Sequence, residues 1–277
     1  MIYGGKNIRI SNKKNKIKKI FIVVFIITIF LVAIQASSAA TITTEKWGTG
    51  GDVTKNSEIK KNLPKSKITT QVLNAAKKGT PIVKFGDGKG PTTLIVVGVH
   101  GNELSSQIAA MRLINNLSKK KNIKGTIYVI PFVAPKATEK NQRSFKGKDL
   151  NRISNKKGSV TNKIIQFAKK NNITTVGDFH CTMPGGKPGK NMILGTKAPN
   201  SESAKMAIGI SKLTRHPYKN EARAGVSYPG ALEDVLNLNG ITSVTCEVKT
   251  PRGKIAPGSA TASYKQMLAF LKYNNFI

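Results

Sequence analysis

The stretch Leu94-Ile-Val-Val-Gly-Val-His100 is an apolar run that ends on a histidine and is followed at once by Gly101-Asn102-Glu103. Two later runs end in a similar way, Ile173–His180 on a histidine and Ile241–Glu247 on a glutamate. Short apolar runs predict buried strands, and the carboxyl ends of parallel strands meet at one edge of an open α/β sheet. The sequence therefore predicts that two imidazoles and a carboxylate gather at one sheet edge.

Candidate helices alternate with these strands. Ile108, Met111, Ile114 and Leu117 recur at every third position, which predicts one buried helical face after Glu103. The other predicted helices are Val160–Lys170, Ser201–Leu213 and Ser259–Tyr273, and the other predicted strands are Ile68–Leu73, Pro81–Phe85 and Thr126–Val133. This alternation predicts a single α/β domain whose mixed, mostly parallel sheet is covered by helices on both faces.

The spacing of His100, Glu103 and His180 suits a metal ion. Gly101 permits the sharp turn that lets the first two side chains converge after the strand. Two imidazoles and one carboxylate, with a position left open, form the ligand set of a catalytic zinc. The competing interpretation is a buried histidine beside an unrelated glutamate, which the dipole at a helix N-terminus stabilises. We expect these three residues to bind one zinc ion per chain.

Four motifs in the same order resemble those of the zinc carboxypeptidase superfamily, which includes the succinylglutamate desuccinylase/aspartoacylase branch. They are His100-Gly-Asn-Glu103, Asp149-Leu-Asn-Arg152, Asp178-Phe-His180 and Thr245-Cys-Glu247. The resemblance extends from residue 66 to the C-terminus and is far more specific than a lone H-x-x-E. It implies a zinc carboxypeptidase-like fold and the hydrolysis of an amide bond next to a free carboxylate.

The resemblance also implies roles for single residues. Glu247 would be the general base that takes a proton from water and passes it to the leaving amine. Arg143 would stabilise the oxyanion, and Asn151 with Arg152 would hold a substrate carboxylate. Asp149 would orient a ligand histidine through its second ring nitrogen. The alternatives are that Glu247 reaches solvent at a strand end and that Asp149 caps a turn.

Tyr228 lies in the turn-forming sequence Ser227-Tyr-Pro-Gly230. By resemblance to carboxypeptidases it would cover the bound substrate, and the alternative is a tyrosine that packs on its own loop. The sequence ends 30 residues after Glu247, whereas aspartoacylase relatives continue into a further β-rich domain. This predicts an open groove that suits a peptide better than a single acylated amino acid.

The N-terminus predicts export. Residues 1–19 contain seven basic residues and no acidic one, residues 20–34 are apolar apart from one threonine, and residues 36–40 are small. The apolar stretch is short for a membrane span of about 20 residues, so cleavage is favoured over retention. We expect a signal peptide or N-terminal membrane anchor over residues 1–40, a polar linker over 41–65 and the catalytic domain over 66–277, outside the cell membrane.

The formal charge is +33, of which the first 19 residues contribute +7 and the remainder +26. Only 7 of the 46 basic residues are arginines, and the lysines are scattered along the chain. We therefore expect no specific nucleic-acid partner. The charge favours acidic cell-envelope polymers or acidic substrates through long-range attraction.

Cys181 directly follows one predicted site residue and Cys246 directly precedes another. A single pair in an exported protein is compatible with a disulfide, and two buried free thiols are an equal alternative. A catalytic thiol is not expected.

The expected function is an exported, zinc-dependent carboxypeptidase or amidase that acts on peptides or cell-wall peptides. The same residues would serve a deacylase of N-acyl amino acids of the succinylglutamate desuccinylase/aspartoacylase type. The third alternative is a catalytically silent envelope-binding protein, against which the complete ligand set and Glu247 argue.

Overall fold

The computed structural model describes Met1 and residues 40–277, and the predicted export signal lies almost entirely outside this range. The described residues from 40 onwards form one compact unit. Within them, no helix combines the length and the apolar character that crossing a membrane requires.

In the described residues, eight strands form one sheet in the spatial order β1-β2-β4-β3-β5-β8-β6-β7. They are β1 (Thr41–Glu45), β2 (Thr80–Phe85), β3 (Thr92–Val97), β4 (Thr126–Ile130), β5 (Thr175–Thr182), β6 (Met192–Ala198), β7 (Tyr218–Arg223) and β8 (Thr242–Lys249). The four central strands, β4, β3, β5 and β8, are parallel. Antiparallel pairing joins β1 to β2, β2 to β4 and β6 to β8, so the sheet is mixed, as predicted.

Helices cover both faces of the sheet. They are α1 (Ser57–Asn62), α2 (Lys67–Lys78), α3 (Leu104–Leu117), α4 (Pro135–Glu139), α5 (Val160–Lys170), α6 (Ser201–Thr214), α7 (Leu232–Leu238) and α8 (Ser259–Tyr273). The apolar side chains of α2, α3, α6 and α8 belong to one core, and those of α4, α5 and α7 belong to the other. This arrangement confirms the predicted single α/β domain.

The apolar run of β3 reflects burial on both of its faces. Ile95 and Val97 face the core under α3, while Leu94 and Val96 face the core under α5. Successive strand residues point to opposite faces, so a strand between two helical layers needs apolar residues at every position. Full burial of each such side chain contributes about 1.5–3 kcal/mol.

The prediction of a polar linker over residues 41–65 was wrong. Residues 41–45 form the edge strand β1, which pairs with β2 from Thr41↔Lys84 to Glu45↔Thr80. A 3-10 turn at Val53–Lys55 and helix α1 follow in the same compact unit. An edge strand leaves many side chains in solvent, so its polar composition resembles that of a linker.

The predicted strand at Ile68–Leu73 is instead the first half of α2. Ser66 caps this helix, because its hydroxyl oxygen accepts the backbone N–H of Thr69 at 3.2 Å. Ile68, Val72 and Ala76 lie four residues apart and are buried. This spacing is typical of a helix, although the residue types of the segment are typical of a strand.

Candidate metal centre and active site

The turn after β3 brings His100 and Glu103 to the same point. Glu103 immediately precedes α3, so the chain reverses within three residues. The turn passes so close to α4 that a side-chain carbon at Gly101 would collide with the backbone of Ala137. Glycine is therefore required by a close approach between backbones.

His100, Glu103 and His180 form a buried cluster whose ligand atoms all lie within 4.8 Å of one another. Glu103 Oε1 lies 2.8 Å from His100 Nδ1, and its Oε2 lies 2.8 Å from His180 Nδ1. The backbone N–H of Cys181 also donates to Oε2 at 2.9 Å. The cluster thus offers two imidazole nitrogens and a carboxylate, a donor set that fits a divalent metal ion.

The charged groups in this cluster stabilise one another's charged forms. Burial disfavours the charge on Glu103, but His100 and His180 outweigh burial and hold the pKa of Glu103 well below its usual value. Burial likewise disfavours a charged His180, yet Asp178 and Glu103 hold the pKa of His180 well above its usual value.

Each histidine has a carboxylate beside its second ring nitrogen. Asp149 Oδ1 lies 2.9 Å from His100 Nε2 and also accepts the backbone N–H of Asn151 at 2.9 Å. Asp149 therefore both contacts the histidine and caps its turn, which are the two roles that the sequence had left as alternatives. Asp178 Oδ2 lies 2.9 Å from His180 Nε2, at an angle that does not make a hydrogen bond. Such contacts orient ligand rings.

Arg143 lies beside the ligand cluster. Its Nη1 donates to Glu103 Oε1 at 3.1 Å, and its Nε and Nη2 donate to Asp149 Oδ2 at 3.3 Å each. Burial opposes ionisation of Asp149, but the hydrogen bond from His100 and the charges of His100 and Arg143 hold its pKa below the usual range. Arg143 is 30% exposed, so its guanidinium borders the open cleft.

Glu247 is the register partner of His180 on the neighbouring strand, which places both side chains on the same face of the sheet. Its Oε2 is shielded from solvent and has no hydrogen-bond partner among the described residues. Burial raises the pKa of Glu247 to about 8, with further contributions from Glu103 and Asp178 that His180 and Arg143 oppose. This carboxyl oxygen is therefore free of protein partners and available to a group that binds in the cleft.

The cluster opens into a cleft of about 160 Å³ whose lining also includes Arg143, Asn151, Arg152 and Tyr228. Asn151 Oδ1 accepts the backbone N–H of Leu232 at 2.8 Å, an arrangement that fixes the amide and leaves its NH₂ to donate. The Arg152 guanidinium lies 5.9 Å from the centre of the Tyr228 ring. The structure thus brings together all nine residues that the sequence predicted for the site.

Several residues at this site had no role predicted from their sequence. Asp178 belongs to the motif Asp178-Phe-His180, and only the structure shows its contact with His180. Arg252, Lys187 and Glu233 also line the cleft. They come from loops and from α7, and no motif marks them in the sequence.

Both cysteines are buried free thiols on neighbouring strands. Burial raises the pKa of Cys181 and Cys246 well above the usual value for a thiol. Cys181 Sγ lies 3.7 Å from the hydroxyl oxygen of Ser106. Neither thiol has the lowered pKa that nucleophilic catalysis requires.

A sequence model of the succinylglutamate desuccinylase/aspartoacylase catalytic domain matches residues 89–207. This segment carries three of the four predicted motifs, and Glu247 lies beyond it on the strand that pairs with His180. The matched segment spans 119 of the 277 residues, so the chain resembles this family over less than half of its length. This resemblance favours a hydrolase as the class of protein to which the His-Glu-His cluster belongs.

Solved structures of an aspartoacylase family protein, a metallo-carboxypeptidase and a cell shape determinant are similar in fold to this chain. An aspartoacylase family protein from Mesorhizobium loti has 19% identity and a TM-score of 0.60, over 87% of this chain and 69% of that protein. A metallo-carboxypeptidase from Burkholderia cenocepacia has 13% identity and a TM-score of 0.57, over 90% and 68%. The tripeptide-bound cell shape determinant Csd4 of Helicobacter pylori has 14% identity and a TM-score of 0.54, over 71% and 55%.

This chain covers 59% to 69% of the length of five of the solved structures that are similar to it in fold. A search of curated proteins found no match. At these identities the structures establish the zinc carboxypeptidase-like fold, and the substrate has to be inferred from the residues of the cleft.

Proposed function

We propose that this protein is an exported, zinc-dependent hydrolase that cleaves an amide bond next to a free carboxylate, as a carboxypeptidase or amidase on peptides or cell-wall peptides. The observation that carries the proposal is the unpartnered Glu247 carboxyl beside the cluster of His100, Glu103 and His180. The proposal of export rests on the charge and apolar pattern of residues 1–40. The charge of the chain would attract acidic substrates and envelope polymers.

The chemistry that zinc supplies when bound is activation of water and polarisation of the scissile carbonyl. Glu247 would accept the proton of that water and return it to the nitrogen of the leaving group. Burial raises the pKa of Glu247 above its usual value, and a carboxyl group with a raised pKa is a stronger proton acceptor once it is ionised. The arginine Arg143 would donate N–H groups to the oxygen that becomes negative in the transition state.

At the mouth of the cleft, Asn151 and Arg152 would bind the substrate carboxylate. The Asn151 amide is oriented by its contact with Leu232, and the Arg152 Nη1 donates to the backbone oxygen of Asn151 at 2.7 Å. Both side chains line the same cleft. A guanidinium and an amide suit the two oxygens of a planar carboxylate. Tyr228, half-exposed beside Arg152, would close over the bound substrate.

Replacement of Arg152 by alanine is expected to abolish most of the preference for a free terminal carboxylate over its amide. Loss of a hydrogen bond to a charged group typically costs about 1.5–3 kcal/mol, or roughly 10- to 150-fold in kcat/KM. The measurement is kcat/KM for matched free and amidated peptides. Arg143→Ala should instead slow both substrates, because an oxyanion donor acts whichever end group is present.

Arg223→Ala is the matched control, since Arg223 is exposed on β7 and does not line the cleft. Its preference should equal that of the wild type. Equal cleavage of free and amidated peptides by the wild-type protein would contradict the assignment of the carboxylate-binding pair and would indicate an endo-acting amidase.

Zinc affinity is expected to rise with pH. His180 has a raised pKa in the metal-free site, so below that pKa a proton must leave before its Nδ1 binds a metal. Each displaced proton makes the affinity increase by about tenfold per pH unit until His180 is neutral. Chelator competition from mildly acidic to mildly alkaline pH measures the slope, and an affinity that stays constant over this range would contradict the assignment of His180.

A deacylase of N-acyl amino acids is the second candidate, favoured by the match of residues 89–207 to the desuccinylase/aspartoacylase domain. Its substrates also place an amide next to a carboxylate, so the same residues would act. The deciding experiment compares kcat/KM for N-succinylglutamate and N-acetylaspartate with kcat/KM for a peptide library. Faster turnover of the peptides supports the proposal, whereas faster turnover of the acyl amino acids supports the deacylase. A zinc-loaded protein that turns over neither would be a silent binding protein.

A further inference from the structure

A second groove, of about 450 Å³, lies between the edge strand β1 and helix α5. It shares no lining residue with the cleft around His100 and His180. We call it the β1–α5 groove, and it is defined by the strand side chains of Thr41, Thr43 and Glu45 and the helix side chains of Lys163 and Phe167.

Polar side chains of the edge strands form the floor of the β1–α5 groove. Thr41, Thr43 and Glu45 alternate along β1 and so point to one face of the sheet. Lys84 of β2 is the register partner of Thr41 and lies on the same face. The floor thus offers two hydroxyls, a carboxylate and an ammonium group, all close to solvent.

Aromatic rings form one wall. Trp47, Tyr128 and Phe167 are each half-buried, with part of each ring facing the groove. Tyr128 and Phe167 pack edge to face with 5.3 Å between their ring centres. The Tyr128 hydroxyl donates to Asn171 Oδ1 at 3.2 Å, which fixes the ring. Rigid apolar faces therefore stand directly beside hydrogen-bonding groups.

Positive charge exceeds negative charge around the groove. Lys84, Lys163 and Lys170 line it together with the single carboxylate of Glu45. Among the described residues, none of the three lysines lies within ion-pair distance of a carboxylate. Three cations around one small groove attract an anion. Dissolved salt screens this attraction, so it is strongest at low salt.

We propose that the β1–α5 groove binds an acidic glycan, a chain of sugar rings that carry carboxylate groups. The C–H faces of a sugar ring pack on aromatic rings, its hydroxyls exchange hydrogen bonds with Thr41, Thr43 and Glu45, and its carboxylates pair with the lysines. A nucleic-acid strand suits the groove less well, because its sugars offer at most one free hydroxyl each to Glu45 and the threonines, whereas each ring of a glycan offers two or more. The proposal does not depend on the chemistry at the zinc ligands.

The test measures binding of a short oligogalacturonate to the full chain by calorimetry. Its methyl ester keeps the rings and removes the charge, while polyglutamate keeps the charge and removes the rings. We expect oligogalacturonate to bind at least about tenfold more tightly than either. Equal affinity for polyglutamate, or equal affinity for an oligothymidylate, would overturn the proposal in favour of general attraction of polyanions.

Two variants locate the site. Lys163→Glu with Lys170→Glu should weaken oligogalacturonate binding at least about tenfold, since two attractive contacts become repulsive. The matched control is Lys265→Glu with Lys272→Glu, which has the same seven-residue spacing on exposed positions of α8 outside the groove. Trp47→Ala should weaken binding about three- to tenfold by loss of the ring face. Equal losses in the two double variants, with unchanged melting temperatures, would contradict the proposed site.

Discussion

Replacement of Glu247 by glutamine is expected to lower kcat by about 10²- to 10⁴-fold, the usual contribution of a positioned acid–base group. Glutamine keeps the size of the side chain, but it cannot accept a proton from water at working pH. Glu247 belongs to β8 and contributes to the cleft beside the ligands. Zinc content should therefore stay at the wild-type value, and single-turnover kinetics with elemental analysis measure both quantities.

Glu202→Gln is the control for this substitution, because Glu202 is an exposed glutamate at the start of α6. It should turn over substrate at the wild-type rate. If Glu247→Gln retains a near-normal rate with its metal in place, another group activates the water and the proposed role of Glu247 is wrong.

Replacement of His180 by alanine is expected to remove zinc and with it nearly all turnover. The substitution deletes one of three ligand atoms in a buried site and leaves Glu103 with one imidazole partner. Loss of the metal removes several kcal/mol of transition-state stabilisation, so activity should fall at least about 10³-fold. Elemental analysis and peptide turnover on the same preparation test this result.

His216→Ala is the matched control for His180→Ala. His216 is the third histidine of the chain, and it is half-buried beside Gln266, away from the ligand cluster. Its replacement should leave zinc content unchanged. Equal zinc content in the wild-type and His180→Ala proteins would show that the metal is held elsewhere.

The elements around the site could be predicted because they obey simple periodicities. β3 is apolar from Leu94 to Val97 between two helical layers. The predicted limits of the helices Val160–Lys170 and Ser259–Tyr273 match the structure. The His100–Glu103 turn was recognised because a histidine, a glycine and a glutamate follow a buried strand directly. Each of these signals lies within a short segment of sequence.

Other features depend on contacts between segments that are distant in the sequence. No local sequence pattern predicts such contacts. β1 has a polar composition and becomes a strand only by pairing with β2. The pair β6 and β7 and the short helix α7 have no strong period and were not predicted. The backbone N–H of Cys181 donates to Glu103, which lies 78 positions earlier in the sequence. Because the donor is a backbone group, the identity of residue 181 does not predict this hydrogen bond.

The central claim is that one metal ion at His100, Glu103 and His180 enables hydrolysis beside a free carboxylate. The most direct measurement titrates the metal-free protein with zinc while mass spectrometry follows cleavage of a peptide library. We predict that product formation rises linearly and saturates at one zinc per chain, with the terminal residue released faster from free than from amidated peptides. An absence of products at one zinc per chain, from peptides and from N-acyl amino acids alike, would contradict the account.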